Sequence, residues 1–302
     1  MKTILERMTE RPLIFDGAMG TMIYSKGVFI NTCYEHLCLT SPALVSGIHQ
    51  DYADAGADVI ETNSFGANRI RLQGHGLADQ LEAINRAAVR LARQAAGDDG
   101  WVAGSVGPIL KAGQVFIDSQ AEELAGIFRE QLAVLADEGV DFFMLETFSH
   151  IQEALLAAQE AKAFGLPVFA SMTVGVDGET EKGRPIEQII QSLDQSSNID
   201  GIGLNCGVGP AAAYANAERA LPLTSKPFVI MANAGLPQEV DGRMIYMASP
   251  EYFTEYAKRM IELGVRGVGG CCGTTPQDIA TMAKSIKSMT GVKQHVTITG
   301  FA

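Results

Sequence analysis

Short apolar segments recur along the chain, and a helical pattern of apolar and polar residues follows each of them. Most of these segments are continuously apolar rather than alternating, which is typical of parallel strands buried on both faces. The eight predicted strands cover residues 12–17, 58–63, 101–107, 142–147, 167–174, 201–207, 227–235 and 267–273. The pattern therefore predicts eight consecutive strand–helix units.

The segments between the predicted strands carry sequence signals for helix starts. Ser119–Glu122 and Ser149–Gln152 have the spacing of a capping box. At Ser41–Pro42, Ser249–Pro250 and Thr275–Pro276 a hydroxyl residue directly precedes a proline, as expected for an N-cap and a first helical position. These signals support the alternation of strands and helices.

Eight such units in 302 residues predict an α/β fold, a single-domain (β/α)8 TIM barrel. A doubly wound open sheet is the alternative, because the number of strands does not show whether the sheet closes. No Gly/Ser-rich linker, low-complexity stretch or block of charge divides the chain. We expect one domain over residues 1–290, and a tail or the start of a linker over 291–302.

Composition and charge narrow the class of protein. The chain is 47% hydrophobic and 19% charged, as is ordinary for a globular protein. A net charge of −12 without a basic patch in the sequence argues against nucleic acid or an anionic membrane as a partner. The chain has neither an apolar run of membrane-spanning length nor the apolar region of a signal peptide. We therefore predict a cytoplasmic protein.

Three of the five cysteines follow two of the predicted strands. Cys206 lies in GIGLNCGVGP, and the adjacent Cys271 and Cys272 lie in GVGGCCGTTP. The ends of the sixth and eighth strands are close in a barrel, and the flanking glycines let the chain bend so that both neighbouring thiols face one ion. Three thiolates there predict an open zinc site with a fourth position for substrate. The remaining two cysteines, Cys33 and Cys38, are expected to be packing residues.

The pattern alone also allows these cysteines to have no metal. Cys206 would then be a small buried apolar residue, and Cys271–Cys272 a chance pair or a strained vicinal disulfide. If zinc is bound, three thiolates leave the centre with a charge of −1, which favours a soft sulfur ligand over water. The corresponding chemistry is alkyl transfer to a thiol.

Polar residues also follow several more of the predicted strands, where catalytic groups of a parallel barrel lie. They are Asp16, Glu61, Asn63, Glu146, Asn205 and Asn233. We expect a shared pocket, although helix caps and ordinary loop residues are the alternative for each one. The turn at Gly17–Ala18 offers backbone amides for a substrate carboxylate, and Glu146 a partner for an ammonium group. This combination suggests an amino acid whose side chain carries a thiol.

Four runs resemble the homocysteine S-methyltransferase family. They are FDGAMGTMI (15–23), HQDYADAGADVIETNSFGAN (49–68), GLNCGVGP (203–210) and GVGGCCGTTPQDI (267–279). The first two are most similar to the N-terminal module of cobalamin-dependent methionine synthases. The resemblance implies a homocysteine-binding zinc barrel with Cys206, Cys271 and Cys272 as metal ligands. It further implies contacts of the homocysteine carboxylate with Gly17–Ala18, of its amine with Asp16 and Glu146, and a place for Asn233 near the metal.

The expected function is zinc-dependent methylation of homocysteine to methionine. The chain lacks the D-x-H-x-x-G run of a cobalamin-binding module, so methylcobalamin would come from another domain or from a corrinoid protein. The alternatives are a methyltransferase for another small thiol or corrinoid-linked donor, and a non-catalytic module that presents the thiol within a larger methionine synthase. A phosphate-binding barrel of the aldolase type would leave the cysteines unexplained.

Overall fold

A computed structural model describes residues 2–111, 113–240 and 243–289. The predicted tail over 291–302 lies outside these residues. Helices and strands alternate along the described chain, and each of the eight predicted strands is present. The predicted order of elements is therefore confirmed.

The eight strands are parallel and form one sheet. In chain order they are β1 Leu13–Ile14, β2 Val59–Glu61, β3 Trp101–Val106, β4 Phe142–Phe148, β5 Val168–Met172, β6 Gly201–Asn205, β7 Phe228–Ala232 and β10 Gly267–Gly270. Between β7 and β10 a short antiparallel hairpin is formed by β8 Gln238–Val240 and β9 Arg243–Ile245. The sheet runs in the order β1-β10-β7-β6-β5-β4-β3-β2. The sequence did not predict the hairpin.

The two ends of this sheet meet. Phe15 and Val59 form a parallel bridge, and the Asp58 amide donates to the Ile14 carbonyl at 2.7 Å. The sheet is therefore a barrel, nearly closed by this contact between β1 and β2. The predicted TIM barrel is confirmed, and the open-sheet alternative is wrong.

Within the described residues eight helices surround the barrel, one after each of its eight parallel strands, and four shorter helices lie at its ends. The outer helices are α4 Pro42–Asp54, α6 Leu81–Ala96, α7 Ala121–Glu138, α8 Ile151–Lys162, α9 Ile186–Gln195, α10 Pro210–Ala220, α11 Pro250–Leu263 and α12 Pro276–Lys287. The short helices are α1 Ile4–Glu10, α2 Gly20–Ser25, α3 Leu37–Thr40 and α5 Arg69–Gln73. The buried faces of the eight outer helices pack against the sheet, and this layer forms the larger part of the apolar core.

The helix starts agree only partly with the sequence signals. Ser249 caps α11, and Thr275 forms a capping box with Asp278 at the start of α12. The two predicted boxes at Ser119 and Ser149 are wrong. Ser119 lies inside a 3₁₀ turn that leads into α7, and α8 begins two residues after Ser149, so neither hydroxyl occupies the N-cap position.

Side chains fill the interior of the barrel at the amino-terminal ends of the strands. Phe142 packs against Phe15 and Phe169, with ring centroids 6.3 Å and 5.3 Å apart. Helix α1 covers this end, where Ile4 and Met8 belong to the same buried cluster. The interior is thus a packed core at the amino-terminal ends of the strands, and only the carboxyl-terminal end is available for a site.

One arrangement recurs before β2, β4 and β6 at the packed end. An aspartate there accepts a hydrogen bond from an amide of the preceding strand and pairs with a cation. The three residues are Asp58, bonded to Ile14 N at 2.9 Å, Asp141, bonded to Val102 N at 2.6 Å, and Asp200, bonded to Val168 N at 2.8 Å. Their partners are Arg11, Arg93 and Lys162. Each aspartate fixes the register of two neighbouring strands.

We expect the Asp58→Asn variant to lower the free energy of unfolding by roughly 2–3 kcal/mol, because it breaks a largely buried pair at the seam of the barrel. Burial raises the pKa of Asp58, but the bidentate Arg11 guanidinium and the Ile14 amide outweigh it and hold the pKa below its ordinary value. A lowered folded-state pKa stabilises the fold above the unfolded pKa, and this contribution is lost as pH falls through the folded pKa. Urea titrations of both proteins at neutral and acidic pH measure the difference.

The control is Asp137→Asn, because the side chain of Asp137 is 69% exposed and pairs with Arg86 at the surface. Its loss should stay below about 1 kcal/mol. Equal losses in the two variants would show that Asp58 has no special role in closing the barrel.

Candidate functional site

Three thiols meet at the carboxyl-terminal end of the barrel. Cys206 directly follows β6, and Cys271 and Cys272 directly follow β10. Their sulfur atoms all lie within 4.8 Å of one another, and the Sγ atoms of Cys206 and Cys272 are 3.8 Å apart. All three are free cysteines, so the vicinal disulfide considered from the sequence is not formed. Zinc–sulfur bonds of about 2.3 Å in tetrahedral geometry would place sulfur atoms about 3.8 Å apart.

Strand β7 holds both cysteine segments in place, because it lies between β6 and β10 in the sheet. The Cys206 amide donates to the Met231 carbonyl at 3.0 Å, and the Cys271 amide donates to the Ala232 carbonyl at 2.8 Å. Cys206 has a φ of 56°, a left-handed conformation that is uncommon for a residue with a side chain. Such strain persists where the surrounding bonds impose it, and it turns the thiol toward the other two.

The three thiols shift one another's pKa values in opposite directions. Hydrogen bonds from Cys271 and Cys272 lower the pKa of the Cys206 thiol to about 3. The same interactions raise the pKa of Cys271, and they raise that of Cys272 to about 11. The three thiols thus disfavour one another's ionised forms, and a cation bound among them would favour the thiolate form of all three.

A cavity of about 340 Å³ opens next to these thiols. Its walls include most of the predicted site residues, namely Asp16, Gly17, Ala18, Glu146, Cys206, Cys271 and Cys272. Asn233 is not part of these walls. Its side chain is buried beside Cys206, where it helps to lower the pKa of the thiol, and its Oδ1 atom has no hydrogen-bond partner among the described residues.

Three carboxyl groups also line the cavity, at the ends of β1, β2 and β4. Asp16 accepts a hydrogen bond from the Glu61 amide at 3.0 Å, while Glu146 accepts from Ser105 Oγ and, at 3.2 Å, from Asn205 Nδ2. Within the described chain, Glu61 Oε1 is buried without any donor. Burial raises the pKa of all three, that of Glu146 to about 7. A cationic group in the cavity would stabilise their charged forms.

Asn205 positions the acidic wall. Its Oδ1 atom accepts from the Thr147 amide at 2.8 Å and from Ser171 Oγ at 2.9 Å, and its Nδ2 atom donates to Thr147 Oγ1 at 2.7 Å as well as to Glu146. Thr147 has a φ of 62°, so it is also held in the left-handed region. The sequence placed Asn205 and Glu61 among the strand-end residues without a role, and it gave no signal for Ser105 or Thr147.

The turn after β1 is built against the cysteine loop. A Cβ atom on Gly17 would lie 2.8 Å from Thr274 Oγ1 and from the Tyr52 ring, so only glycine fits there. Thr274 Oγ1 accepts from the Ala18 amide at 3.1 Å and donates to the Cys271 carbonyl at 2.7 Å. The Ala18 amide is therefore used within the protein. In the described part of the chain the next amides, of Met19 and Gly20, have no partner.

A comparison with known protein families gives this site a context. The family model described as homocysteine S-methyltransferase matches residues 13–286. The chain belongs to the homocysteine S-methyltransferase family. This confirms the resemblance seen in the four sequence runs, and the matched range includes the three cysteines and the three carboxyl groups of the cavity.

Three relatives match nearly all of this chain but differ in how much of their own length takes part in the match. The metallated form of the homocysteine methyltransferase MmuM from Escherichia coli superposes with a TM-score of 0.79 at 25% identity, over 93% of this chain and 99% of that one. Methionine synthase of Mycobacterium tuberculosis is 29% identical over 97% of this chain but 26% of its own length. Betaine–homocysteine S-methyltransferase 1 of Mus musculus is 28% identical over 94% of this chain and 75% of its own length.

The chain thus spans about a quarter of the length of the mycobacterial methionine synthases that it matches. Over the described residues, no helix combines the length and the apolar character needed to cross a membrane.

We expect the Thr274→Val variant to lower the free energy of unfolding by about 1–3 kcal/mol, because it leaves the buried Ala18 amide without an acceptor. If the three thiols hold a metal ion, the variant should also weaken its binding, since the Cys271 carbonyl loses the Thr274 hydroxyl and keeps only the Thr274 amide as a donor. Urea titration and metal titration measure the two effects. The control, Thr281→Val, removes an exposed hydroxyl that bonds only to Gln277 of its own helix. Identical behaviour of the two variants would contradict this role of Thr274.

Proposed function

We propose that this barrel methylates homocysteine to methionine and holds a zinc ion with Cys206, Cys271 and Cys272. The observation that carries the proposal is the convergence of three sulfur atoms within 4.8 Å at the wall of a cavity. The unpartnered Oδ1 atom of Asn233 beside Cys206 also fits, since it offers an oxygen ligand when no substrate is present. Zinc bound there would supply the positive charge that keeps a substrate thiol deprotonated at neutral pH.

The cavity walls match the remaining groups of homocysteine. Asp16 and Glu146 would bind its ammonium group, whose charge offsets the burial of their carboxylates. The turn at Gly17–Ala18 would receive its carboxylate, through the amides of Met19 and Gly20 that have no partner in the described chain. Bound at both ends, the amino acid would direct its thiol toward the three cysteines.

In the proposed reaction the protein mainly binds and orients. The substrate thiolate attacks a methyl group of the donor, and the electron pair of the broken bond stays on the donor atom. Asp16 and Glu146 would fix the amine, and the packed amino-terminal half of the barrel forms a rigid floor beneath the cavity. Methylcobalamin, brought by another domain or a corrinoid protein, is one candidate donor. The names of the relatives point to more than one donor, so the choice requires a direct assay.

We expect Cys206→Ser and Cys272→Ser to lower the affinity for zinc at least 100-fold and to abolish turnover, because each removes one of three thiolate ligands. Purified wild-type protein should contain about one zinc per chain, as measured by plasma mass spectrometry.

The matched controls are Cys33→Ser and Cys38→Ser. Both residues are buried, and their thiols contact Glu35 and Asn63 instead of the cluster. These variants should keep the metal. Equal zinc contents in Cys206→Ser and Cys33→Ser would contradict the proposed centre.

A second experiment tests the identity of the thiol. Glu146→Gln should raise the KM for homocysteine about 10- to 100-fold, the equivalent of a lost charge-assisted hydrogen bond. The KM for 4-mercaptobutanoate, which lacks the amine, should not change. The control is Glu187→Gln, a surface residue paired with Arg219.

An equal effect of Glu146→Gln on both thiols would contradict an ammonium site. A third outcome is that homocysteine changes the spectrum of the cobalt-substituted protein while none of the donors tested yields methionine. The barrel would then be a module that presents the thiol without catalysis.

A further inference from the structure

The loop after β7 returns to the three cysteines through Tyr246. This residue directly follows β9, the second strand of the short hairpin. Two hydrogen bonds connect its segment to the cysteines. The Ala248 amide donates to the Ala234 carbonyl at 2.9 Å, and the Ala234 amide donates to the Cys272 carbonyl at 2.9 Å. The loop is therefore fixed against the cysteine segment that follows β10.

The ring of Tyr246 packs on Gly273. Gly273 has a φ of 83°, and a Cβ atom on it would overlap the ring, so the backbone next to Cys272 is shaped to receive this side chain. From this position the Tyr246 hydroxyl donates a hydrogen bond to the sulfur of Cys272. Burial, and after it the charge of Cys272, raises the pKa of Tyr246, so the hydroxyl keeps its proton at neutral pH.

The sulfur of Cys206 also has hydrogen-bond donors from outside the cluster. They are the Gly207 amide and the side chain of Asn233. Two of the three cysteine sulfurs are therefore hydrogen-bonded to groups that do not belong to the proposed metal ligands. A bond of this kind has a chemical consequence once the sulfur is ionised.

A methyl donor in the cavity meets more than one sulfur nucleophile. Cys206, Cys271 and Cys272 line the same cavity as the proposed homocysteine site. Each of them, once ionised, can attack a methyl group as the substrate thiolate does. Methylation would turn a cysteine into an uncharged thioether and remove a thiolate ligand from the centre. The protein's own sulfurs must therefore react more slowly than the sulfur of the substrate.

A hydrogen bond to a thiolate slows its reaction. The donor stabilises the negative charge on sulfur, which lowers the pKa of the corresponding thiol, and the nucleophilicity of a thiolate falls with that pKa. Tyr246 is not among the described residues that line the cavity. It therefore reaches Cys272 without occupying the space of the substrate.

We infer that Tyr246 protects Cys272 from methylation by donating a hydrogen bond to its thiolate. The reaction that it slows is the transfer of a methyl group to Cys272 Sγ. In that transfer the new carbon–sulfur bond forms as the bond to the donor atom breaks, and the electron pair of the broken bond stays on the donor atom. Tyr246 would thus favour methylation of the substrate over methylation of the protein. This inference rests on the proposed function.

Alkylation measured at each cysteine separately tests this role. The zinc-loaded full chain is treated with iodomethane in the absence of homocysteine, and S-methylcysteine is quantified by peptide mass spectrometry. Tyr246→Phe removes the hydroxyl and keeps the ring on Gly273. We expect methylation of Cys272 in this variant to become roughly 3- to 10-fold faster, because the thiolate loses a stabilising donor. The rates at the other two cysteines of the cluster and the zinc content should stay unchanged.

The matched control is Tyr252→Phe. Tyr252 is an exposed tyrosine on α11, and its ring packs against Tyr256. Removal of its hydroxyl should leave all three methylation rates at the wild-type values.

An unchanged rate at Cys272 in Tyr246→Phe would overturn the inference. Equal gains at all three cysteines, or a loss of zinc from this variant, would overturn it as well, because Tyr246 would then support the whole centre rather than one sulfur. Zinc content and methionine formation of the wild-type protein are measured separately. If the wild type holds no zinc or forms no methionine, the proposed function itself fails, and the protective role fails with it.

Discussion

Asp16 connects the two halves of the site at the seam where the barrel closes. Its amide donates to the Val59 carbonyl of β2 at 3.1 Å, and its own carbonyl accepts from the Gly270 amide of β10 at 2.9 Å. Its carboxylate accepts from the Glu61 amide. The same residue therefore sets the distance between the acidic wall, on β2 and β4, and the cysteines that follow β10. If the seam shifted by one residue, Asp16 would exchange its place in the cavity for one in the outer core.

The residues that form the site lower the stability of the folded protein. Three buried carboxyl groups, three thiols and two residues with left-handed backbone lie around one cavity. Each of these features costs free energy in the folded state. The surrounding barrel supplies the compensation, through the apolar core beneath and through fixed donors such as Asn205 and Thr274. A ligand with an ammonium group would offset the burial of the carboxyl groups. A metal ion bound by the three cysteines would offset the repulsion between their thiolates.

The sequence was informative where one physical rule applied to a segment by itself. Strands buried on both faces must be apolar throughout, so all eight could be found, and the polar residues at their ends followed. The strand pattern favoured a closed barrel by the number of its units but left an open sheet as the alternative, because closure depends on a bridge between Phe15 and Val59 that leaves no mark on either segment. Ser119 shows the same limit for a helix. It has the spacing of a capping box with Glu122, but it lies inside a 3₁₀ turn and α7 begins only after that turn. The contact of Thr274 with Ala18 joins residues far apart in the chain, and no local pattern indicates it.

Two neighbouring cavities differ in how firmly the fold holds them. The thiols and carboxyl groups lie at the ends of barrel strands, where the hydrogen bonds of the sheet leave little freedom. A neighbouring cavity lined by Phe65, Arg71, His75 and Lys111 is formed mainly by the connecting segments after β2 and β3, whose sequences can change without disturbing the barrel. Cys206 and Cys271 therefore lie on the part of the chain that the barrel holds in place, and Arg71 and Lys111 on a part that can vary without loss of the fold.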